Sequence, residues 1–386
     1  MEKVPLTKKI DELKFYTLDK IDECDAHYNI IFGQRSNGKT FAVLERIIRR
    51  YYQFHKKGAI IRRYDLDFQG KRGRDVFDHM VNNPTRGNVI AEITNGEWTG
   101  VYYFSLCWYL CRVNEKGIVV KDCEPFMYGF TLAAQEHDKG VSYTDIDTIF
   151  FDEFMTRKYY LPDEFVVFSN VLSTIIRMRD DVKIYMCANT VNKFGNLYFT
   201  EMGITRYKDM KPGDLDVYQF AAYGDKVLKI AVEYADAKNK DGVPSDIYFA
   251  FNNPKLKMIT NGIWEMALYP HLPYKYKEKD IEFTFFICWE GEMLQCEIIN
   301  LEKPDAIFIY IHRKTTELRN VDDDIIYSTS YDARPNWRRK ITQPVYEFER
   351  KIGALIRNEK IFFQDNEIGE IWRNYIQWCR KDGGFV

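Results

Sequence analysis

The residues best suited to chemistry form a phosphate-binding loop of the pattern G-x-x-x-x-G-K-[ST]. They are Gly33, Gln34, Arg35, Ser36, Asn37, Gly38, Lys39 and Thr40. The two glycines allow successive backbone N–H groups to turn inward around the β- and γ-phosphates of a nucleotide. Lys39 can neutralise phosphate charge, and the Thr40 hydroxyl can ligate Mg²⁺. The pattern therefore predicts that the chain binds ATP together with Mg²⁺.

The sequence on both sides of this loop supplies the strand and the helix that the loop needs. Residues 28–32 form an apolar run typical of a buried strand. After the loop, apolar side chains recur at helical spacing until Lys56-Lys57-Gly58 provides a stop: Phe41, Leu44, Ile47, Ile48 and Tyr51. A helix that begins near Lys39 directs the positive end of its dipole at the bound anion. A glycine-rich turn with a surface lysine is the alternative, and these flanking elements weigh against it.

Two acids follow a second apolar run about a hundred residues further along. Residues 147–153 read Asp-Thr-Ile-Phe-Phe-Asp-Glu, which is typical of a buried strand that ends in Asp152 and Glu153. In this arrangement Asp152 accepts a hydrogen bond from Mg²⁺-bound water, and Glu153 polarises the attacking water as the catalytic base. The alternative is a strand that leaves the core with charged residues, and the preceding phosphate loop favours chemistry over it.

Further polar side chains stand at the ends of the next two predicted elements. A helix begins at residues 161–164 and ends with Arg177 and Arg179, where a structural interpretation is interaction with the helix C-terminus. A buried strand over 182–188 then ends in Asn189. Ligands of α/β sheets collect at the carboxyl ends of strands, so Asn189 is a candidate to sense the γ-phosphate or hold the lytic water.

Composition limits the kinds of partner. The chain has 386 residues with a formal net charge of −2, so nucleic acid can be contacted only by local basic patches. Its eight cysteines include no C-x-x-C pair, which favours reduced thiols in a cytosol and no metal beyond the Mg²⁺ of the nucleotide. No apolar run reaches membrane-spanning length. The basic patches are Arg46-Arg49-Arg50, Arg62-Arg63, Lys71-Arg72-Arg74 and 334–340, of which the last, with Trp337 inside it, is expected to contact nucleic acid or a protein partner.

The order of patterns predicts an α/β protein with several parts. Residues 88–94, 101–112 and 118–120 are interpreted as strands of antiparallel hairpins on the edge of a parallel sheet. The composition changes near Lys211-Pro212-Gly213-Asp214, and three strands in meander order follow from Asp280, with helical patterns over 345–357 and 368–380. We expect a P-loop ATPase domain over 1–212, a linker module over 213–279 and an α+β domain over 280–386.

These patterns together resemble the DNA-encapsidation ATPases of small protein-primed tailed bacteriophages, compact relatives of the terminase large subunit. The first 210 residues carry the resemblance, and the C-terminal part shares only strand order and length. The matching pieces are the phosphate loop, Ile61-Arg62-Arg63-Tyr64, residues 148–154, Ile176-Arg177-Met178-Arg179 and Cys187-Ala188-Asn189.

This resemblance implies a pentameric ring of additional-strand, catalytic-glutamate ATPases on the portal of an empty procapsid in the host cytoplasm, driving double-stranded DNA inward. Some members of the family use a structural packaging RNA, and the residues leave open whether this chain requires one. The resemblance also implies residue roles: Lys39 and Thr40 contact phosphate and Mg²⁺, Arg35 lies near the γ-phosphate, and Asp152 and Glu153 act as described above. Asn189 belongs to the coupling motif, and Arg177 is a finger that reaches a neighbouring subunit. Lys139 lies where relatives carry a functional lysine, although its flanking residues differ.

The resemblance also implies that residues 280–386 are similar to the RNase H-like nuclease of terminases. That nuclease needs clustered acids on its first strand to hold two metal ions. Residues 283–289 contain no acid, and the nearest acids, Glu290 and Glu292, lie in the following turn. We therefore expect the nuclease to be vestigial and the enzyme to be an ATPase alone.

Two other classes of function stay open from the residues. One is another oligomeric nucleic-acid translocase of the helicase type, although no second helicase core follows in the sequence. The other is a nucleotide-gated assembly scaffold without translocation, for which the presence of Glu153 is unexpected. A GTPase is disfavoured because residues 192–195 read Asn-Lys-Phe-Gly and lack the final Asp of N-K-x-D.

Overall fold

The computed structural model describes residues 15–133, 143–156, 160–161, 163–190, 196–222, 224, 226–236, 267–289, 291–301, 307–318 and 320–380. The chain divides into two compact units, which are Met1–Val191 with Leu197–Trp264, and Asn192–Asn196 with Glu265–Val386. Each unit has its own β-sheet.

The first unit is built on a ten-stranded mixed sheet. Its strands are β1 (Tyr28–Gly33), β2 (Lys57–Arg62), β3 (Gly100–Phe104), β4 (Cys107–Val113), β5 (Val119–Lys121), β6 (Met127–Thr131), β7 (Ile146–Asp152), β8 (Lys183–Asn189), β9 (Leu215–Ala221) and β10 (Val227–Ala235). The spatial order is β3-β4-β6-β2-β7-β8-β1-β10-β9, and β5 pairs with β4. From β6 to β10 in this order the strands are parallel, and the strands at both edges are antiparallel.

The central strands are buried on both faces, which explains their nearly continuous apolar sequences. Every residue of β7 is buried, including Asp152. One apolar cluster on the sheet includes Phe151 and Phe168, and the other includes Ile47 and Phe150. Because successive side chains of a strand point to opposite faces, Phe150 and Phe151 anchor β7 in both clusters and fix the position of the acids that follow.

Helices and turns connect these strands. The described helices of the first unit are α1 (Asp19–Asp22), α2 (Lys39–Phe54), α3 (Lys71–Arg74), α4 (Asp78–Val81), α5 (Val89–Ile93), α6 (Glu164–Ile176) and α7 (Leu197–Glu201). The long helix α2 begins at Lys39 as predicted and buries Val43, Leu44, Ile47, Ile48 and Tyr51. It ends at His55, whose φ of 52° places it in the left-handed region and lets its N–H return to the last turn. None of the helices in the described ranges is both long and apolar enough to cross a bilayer.

The hairpin region differs from its prediction in two places. Residues 89–93 form helix α5 instead of a strand, because the side chain of Asn88 accepts a hydrogen bond from Ala91 N at 2.9 Å and caps the helix. The long strand expected from 101 to 112 is split into β3 and β4 by a turn at Ser105 and Leu106, with φ of 49° and 59°. Neither residue is typical of such a turn.

The expected linker module over 213–279 is partly sheet. Residues 215–221 and 227–235 are β9 and β10, and β10 pairs with β1 in parallel from Tyr28↔Ile230 to Gly33↔Ala235. The strand that carries the phosphate loop is thus flanked on one side by a strand from this region. This correction extends the first unit beyond residue 212.

The second unit has a six-stranded sheet with helices packed against it. Its strands are β11 (Ile281–Trp289), β12 (Glu292–Asn300), β13 (Ile307–Arg313), β14 (Ile326–Ser328), β15 (Trp337–Arg338) and β16 (Ile361–Phe363), in the order β15-β14-β11-β12-β13-β16. The predicted meander of β11, β12 and β13 is present, and β14 and β16 pair with it in parallel. Helices α8 (Glu347–Arg357) and α9 (Asn366–Arg380) contribute Ile352, Ile371 and Tyr375 to the same apolar core as the strands.

Candidate nucleotide site

The phosphate loop connects β1 to α2 in a conformation that needs both of its glycines. Gly38, directly before the helix, has a φ of 95°. Gly33 has a φ of 157°, and a Cβ there would lie 2.9 Å from Ala235 O of the neighbouring strand β10. A side chain at Gly38 would be strained, and one at Gly33 would collide with the backbone. The loop can therefore present its N–H groups to a phosphate only with this sequence pattern.

Lys39 is held inside the loop. Its side chain is buried, and Nζ donates hydrogen bonds to Gln34 O at 2.6 Å and to Asn37 Oδ1 at 3.0 Å. Burial lowers the pKa of Lys39 to about 8, while the nearby Asp152 carboxylate acts in the opposite direction. Since a bound anion favours the protonated form, this lysine is suited to bind phosphate.

Thr40 and Asp152 meet at the edge of the sheet. The Thr40 hydroxyl donates a hydrogen bond to Asp152 Oδ1 at 3.2 Å, although the two residues are 112 positions apart in sequence. A hydroxyl and a carboxylate are the hard oxygen donors that Mg²⁺ prefers, and Mg²⁺ commonly uses one or two such groups together with phosphate oxygens. The donor set therefore fits the Mg²⁺ that the sequence predicts.

Asp152 has a second partner that the sequence analysis did not assign to the site. Arg62, at the end of β2, donates from Nη2 to Asp152 Oδ2 at 2.6 Å. Strands β2 and β7 are neighbours with Ile61 opposite Phe151, so Arg62 and Asp152 leave the sheet side by side. The sequence shows Arg62-Arg63 only as a basic pair and as part of a motif, and no local pattern shows which carboxylate each arginine contacts.

Glu153 stands directly after the strand, with its side chain exposed and its backbone in the left-handed region at a φ of 57°. Such a conformation costs free energy in a residue other than glycine and needs support. Arg63 supplies it, since Nη1 donates to Glu153 O at 3.2 Å and Nη2 donates to Phe154 O at 2.9 Å. Glu153 is among the residues that line the cleft.

Arg63 is itself fixed by a buried ion pair with Glu164, the first residue of α6. Arg63 Nε and Nη2 donate to the two carboxylate oxygens, each at 2.8 Å. Glu164 also accepts from Tyr198 Oη at 2.9 Å and from Leu161 N at 2.7 Å. The acid expected at the start of this helix thus does more than complement the helix dipole, because it connects β2, the turn after β7, and α6.

Asn189 lies beside the loop. It ends β8, and its register partner in β1 is Gly33. The next residue, Thr190, donates its N–H to Gly33 O at 3.1 Å. The predicted position of Asn189 at the carboxyl edge of the sheet is confirmed, and its role stays a prediction.

A cleft of about 1050 Å³ gathers most of the predicted site residues. Among its lining residues are Ser36, Asn37, Gly38, Lys39, Thr40, Arg62, Asp152, Glu153 and Asn189. Arg35 is exposed and does not line this cleft, so the structure does not bring it to the other residues. Lys139 lies outside the described residues.

Arg177 and Arg179 have different surroundings at the end of α6. The guanidinium of Arg179 donates to backbone carbonyls of Tyr143, Thr144, Ile146, Ile175 and Ile176. Arg177 is exposed, with a φ of 53°. Because Arg179 contacts Ile146 at the start of β7, both arginines lie roughly 20 Å from Asp152, which ends that strand. The structure does not bring Arg177 to the cleft of its own chain.

The basic cluster over 334–340 in the second unit is partly neutralised. Arg334 pairs with Asp332 at 2.8 Å and with Asp322 at 3.3 Å, and Arg338 lies 3.7 Å from buried Glu349. Arg339 and Lys340 stack on the ring of Trp378, with centroid distances of 5.6 and 5.4 Å. The cationic surface is therefore smaller than the sequence suggests.

The strand order of the first sheet shows which type of phosphate-loop fold this is. Strand β8 lies between β1, which carries the phosphate loop, and β7, which ends in the acids. A parallel sheet with one strand inserted at this place, a phosphate loop and a strand-ending Asp-Glu pair has the topology expected of a P-loop fold with an additional strand.

Comparisons with known proteins make the relationship more specific. Residues 121–222 match the family model of the podovirus DNA encapsidation protein (Gp16). The DNA packaging protein of Bacillus phage phi29 is 23% identical over 199 residues, which are 49% of this chain and 50% of the relative. The chain spans about half the length of the curated relatives that it matches. The resemblance to phage encapsidation proteins that the sequence predicts is confirmed.

Two solved structures show the same fold over nearly the whole chain. The bacteriophage Phi-29 viral genome packaging motor assembly matches with a TM-score of 0.52 and 19% identity, covering 95% of this chain and 100% of that one. The Phi-28 gp11 DNA packaging motor matches with a TM-score of 0.51 and 17% identity, covering 97% and 100%. At this identity the likeness concerns the fold.

Proposed function

We propose that this chain is an ATPase that drives double-stranded viral DNA into a preformed procapsid. The observation that carries the proposal is the meeting of Thr40, Asp152 and Glu153 in one cleft with the phosphate loop. Loop and carboxylates are what hydrolysis of a nucleoside triphosphate requires. The similar phage proteins are named DNA packaging proteins and packaging motors, which supports the proposal that hydrolysis drives DNA into the procapsid.

The residues divide the chemistry as follows. Lys39 and the N–H groups of the loop would bind the β- and γ-phosphates, and Thr40 and Asp152 would hold Mg²⁺, which would neutralise phosphate charge. Glu153 accepts a proton from water as the water oxygen forms a bond to the γ-phosphorus. The bond from that phosphorus to the bridging oxygen breaks, so that ADP and phosphate leave. Asn189, the register partner of Gly33, would report whether the γ-phosphate is present.

We further propose that the active form is a ring, pentameric as in the resembling family, on the portal of the procapsid in the host cytoplasm. Arg177 then serves a neighbouring subunit, since it lies at the opposite end of β7 from the cleft of its own chain. The whole chain would contact DNA and the portal, and a structural packaging RNA is a further partner that some relatives use. Within the basic cluster, Arg339 and Lys340 lie over the ring of Trp378, and we propose that this part of the cluster makes such contacts.

We propose that the second unit is a vestigial RNase H-like domain. Its order β15-β14-β11-β12-β13, with an antiparallel meander and parallel strands beside β11, agrees with that fold. Within the ranges that the structure covers, no group of three or more His, Cys, Asp or Glu side chains could hold a metal ion. Glu292 is paired with Arg313, and Glu290 lies outside the described residues. The ATPase domain would then extend at least through Ala235.

The rate of ATP hydrolysis by the full chain tests this function. We expect hydrolysis to rise when double-stranded DNA and portal-bearing procapsids are added together. Glu153→Gln should bind ATP and stop turnover, whereas Lys39→Ala should lose binding, because Lys39 contacts the ground-state phosphates and Glu153 acts when water attacks. Equal loss of binding in both variants would remove Glu153 as the base.

Stimulation by DNA without any effect of procapsids would favour a general translocase of the helicase type. Slow hydrolysis that responds to neither addition would favour a nucleotide-gated assembly scaffold. A filled-procapsid assay, in which packaged DNA is protected from a nuclease, separates these alternatives from packaging.

A further inference from the structure

The ion pair between Arg62 and Asp152 places a cation on the carboxylate that belongs to the metal site. The Arg62 Nη2 to Asp152 Oδ2 distance is 2.6 Å, and the side chain of Asp152 is only 7% exposed. Thr40 donates to the other carboxylate oxygen. Both oxygens of Asp152 thus have a protein donor, and one of these donors carries a full positive charge.

The position of Arg62 inside the cleft makes this contact more than a surface ion pair. Its guanidinium lies 5.8 Å from the centroid of the Phe68 ring, and it lines the cleft together with Lys39 and Glu153. The Nε atom of Arg62 is buried without a hydrogen-bond partner. The guanidinium therefore donates to Asp152 through one nitrogen only. Its Nε–H remains a buried donor, and an incoming oxygen could accept a hydrogen bond from it.

Two cations cannot both interact closely with one carboxylate at little cost. A guanidinium and Mg²⁺ repel each other, and in a partly buried site water screens this repulsion less than at the surface. Asp152 carries a single negative charge, which Arg62 already balances. Either the arginine or the metal with its bound water can therefore have Asp152 as its main partner.

We propose that Arg62 competes with Mg²⁺ for Asp152, so that the metal is retained only when nucleotide phosphates supply further negative charge. This inference rests on the proposed nucleotide site and deepens it. Mg²⁺ alone has to displace the guanidinium, whereas Mg²⁺ with ATP brings oxygen ligands for the metal and anionic oxygens for the released arginine. Arg62 is in this view a positioning residue that acts through Asp152.

Binding of Mn²⁺, a paramagnetic substitute for Mg²⁺, tests the proposal without any measurement of turnover. Free and bound Mn²⁺ are counted by electron paramagnetic resonance with the full chain, in the presence and absence of ATP. The wild-type chain should bind Mn²⁺ tightly only with ATP. Arg62→Gln should bind Mn²⁺ without ATP roughly tenfold or more tightly than the wild type, since a charge-assisted hydrogen bond no longer has to be broken.

Matched variants locate the effect. Arg50→Gln removes an arginine that pairs with Asp147, at the other end of the same strand, through contacts of 2.9 and 2.5 Å. It should leave Mn²⁺ binding unchanged. Asp152→Asn added to Arg62→Gln should abolish the nucleotide-independent Mn²⁺ binding. Arg62→Lys keeps the positive charge and should give an intermediate affinity for Mn²⁺. It also allows the proposal to be tested if the glutamine variant does not fold.

The possible failures are distinguishable. Wild-type protein that binds no Mn²⁺ even with ATP would contradict the nucleotide site itself. Tight Mn²⁺ binding by the wild type with ATP, combined with equally weak binding by wild type and folded Arg62→Gln without ATP, would overturn the competition and leave the proposed function intact. An increase in Arg50→Gln as large as that in Arg62→Gln would also overturn it.

Discussion

Burial gives Lys39 a property that its sequence motif does not reveal. Its ammonium group is enclosed by the loop and donates to Gln34 O and Asn37 Oδ1, which are neutral acceptors. Burial therefore lowers the pKa of Lys39 to about 8. A phosphate at this place favours the protonated form and raises the pKa again, so binding and protonation of Lys39 are coupled.

The first prediction is that ATP affinity falls as the pH rises above about 8, the pKa of Lys39 in the free protein. Between the free and the raised bound pKa, binding has to take up a proton, so the dissociation constant should increase by up to about tenfold per pH unit. Below this window the lysine is already charged and the affinity should be flat. Calorimetry at pH 8.5 in two buffers of different ionisation enthalpy measures the proton uptake. Uptake of no proton would contradict the lowered pKa.

At the scale of elements, one buried ion pair connects the elements that present the catalytic glutamate. Arg63 at the end of β2 holds the carbonyls of Glu153 and Phe154, and Glu164 at the start of α6 holds Arg63. The side chains of this ion pair are 8% and 0% exposed. Loss of either partner would leave an uncompensated buried charge.

The second prediction concerns Glu164→Gln. We expect the free energy of unfolding to fall by about 3–5 kcal/mol, as for other buried ion pairs that lose one partner. Among molecules that stay folded, kcat should decrease more than KM changes, because the Glu153 turn loses its support. Denaturant unfolding and steady-state kinetics measure the two effects. Asp180→Asn, which removes an exposed pair with Lys226, is the control and should change neither quantity.

The C-terminus of α6 separates two arginines that the sequence presents as equivalent. Arg179 donates to five backbone carbonyls near that end, so it satisfies the interpretation as a helix cap. Arg177 is exposed beside it. A structural role and a role toward another subunit can therefore be assigned to different residues and tested by parallel substitutions.

The third prediction is that Arg179→Ala lowers thermal stability, whereas Arg177→Ala keeps the fold and reduces ring-dependent hydrolysis by roughly 10³–10⁵. Mixing Arg177→Ala with Glu153→Gln subunits should restore activity wherever an intact cleft meets an intact arginine. Hydrolysis by the mixture is compared with the average of the two pure variants after co-assembly has been confirmed. Activity no higher than that average would show that Arg177 does not act between subunits.

Local sequence patterns were enough to predict the elements that carry the site, but they did not predict contacts between residues that are distant in sequence. The phosphate loop, β7 and its acids are each specified within about ten residues, and the structure places them as predicted. The pairs Arg62–Asp152 and Arg63–Glu164 join residues 90 and 101 positions apart, which no local pattern fixes. Likewise, residues 227–235 are rich in Val, Ile and Tyr, but no local pattern shows that this strand pairs with β1 and thus belongs to the first sheet.

At the scale of the whole molecule, the two sheets differ in the polar and charged side chains that they carry. The first collects a lysine, a threonine, two acids and an asparagine at one edge. In the second, β11 carries aliphatic, aromatic, threonine and cysteine side chains and one acid, Glu282 near its start, which pairs with Lys351 at 2.6 Å, whereas an RNase H-like nuclease needs clustered carboxylates on this strand. A strand can keep its place in a fold through its buried face alone, since packing depends on the apolar side chains and not on the acids.

The last prediction is that the full chain does not nick supercoiled DNA with either Mg²⁺ or Mn²⁺. Two-metal hydrolysis needs carboxylates that bridge both ions, whereas Glu282 on β11 pairs with Lys351 and Glu292 after it pairs with Arg313. The assay uses the full chain without ATP, so that ATP-driven activity on DNA cannot complicate the readout, and follows the conversion of supercoiled to open circular DNA. Nicking that disappears in Glu290→Gln or Asp305→Asn would show a live nuclease and would contradict the vestigial assignment. Nicking that survives both substitutions would instead indicate a contaminating enzyme, which repurification to constant specific activity would expose.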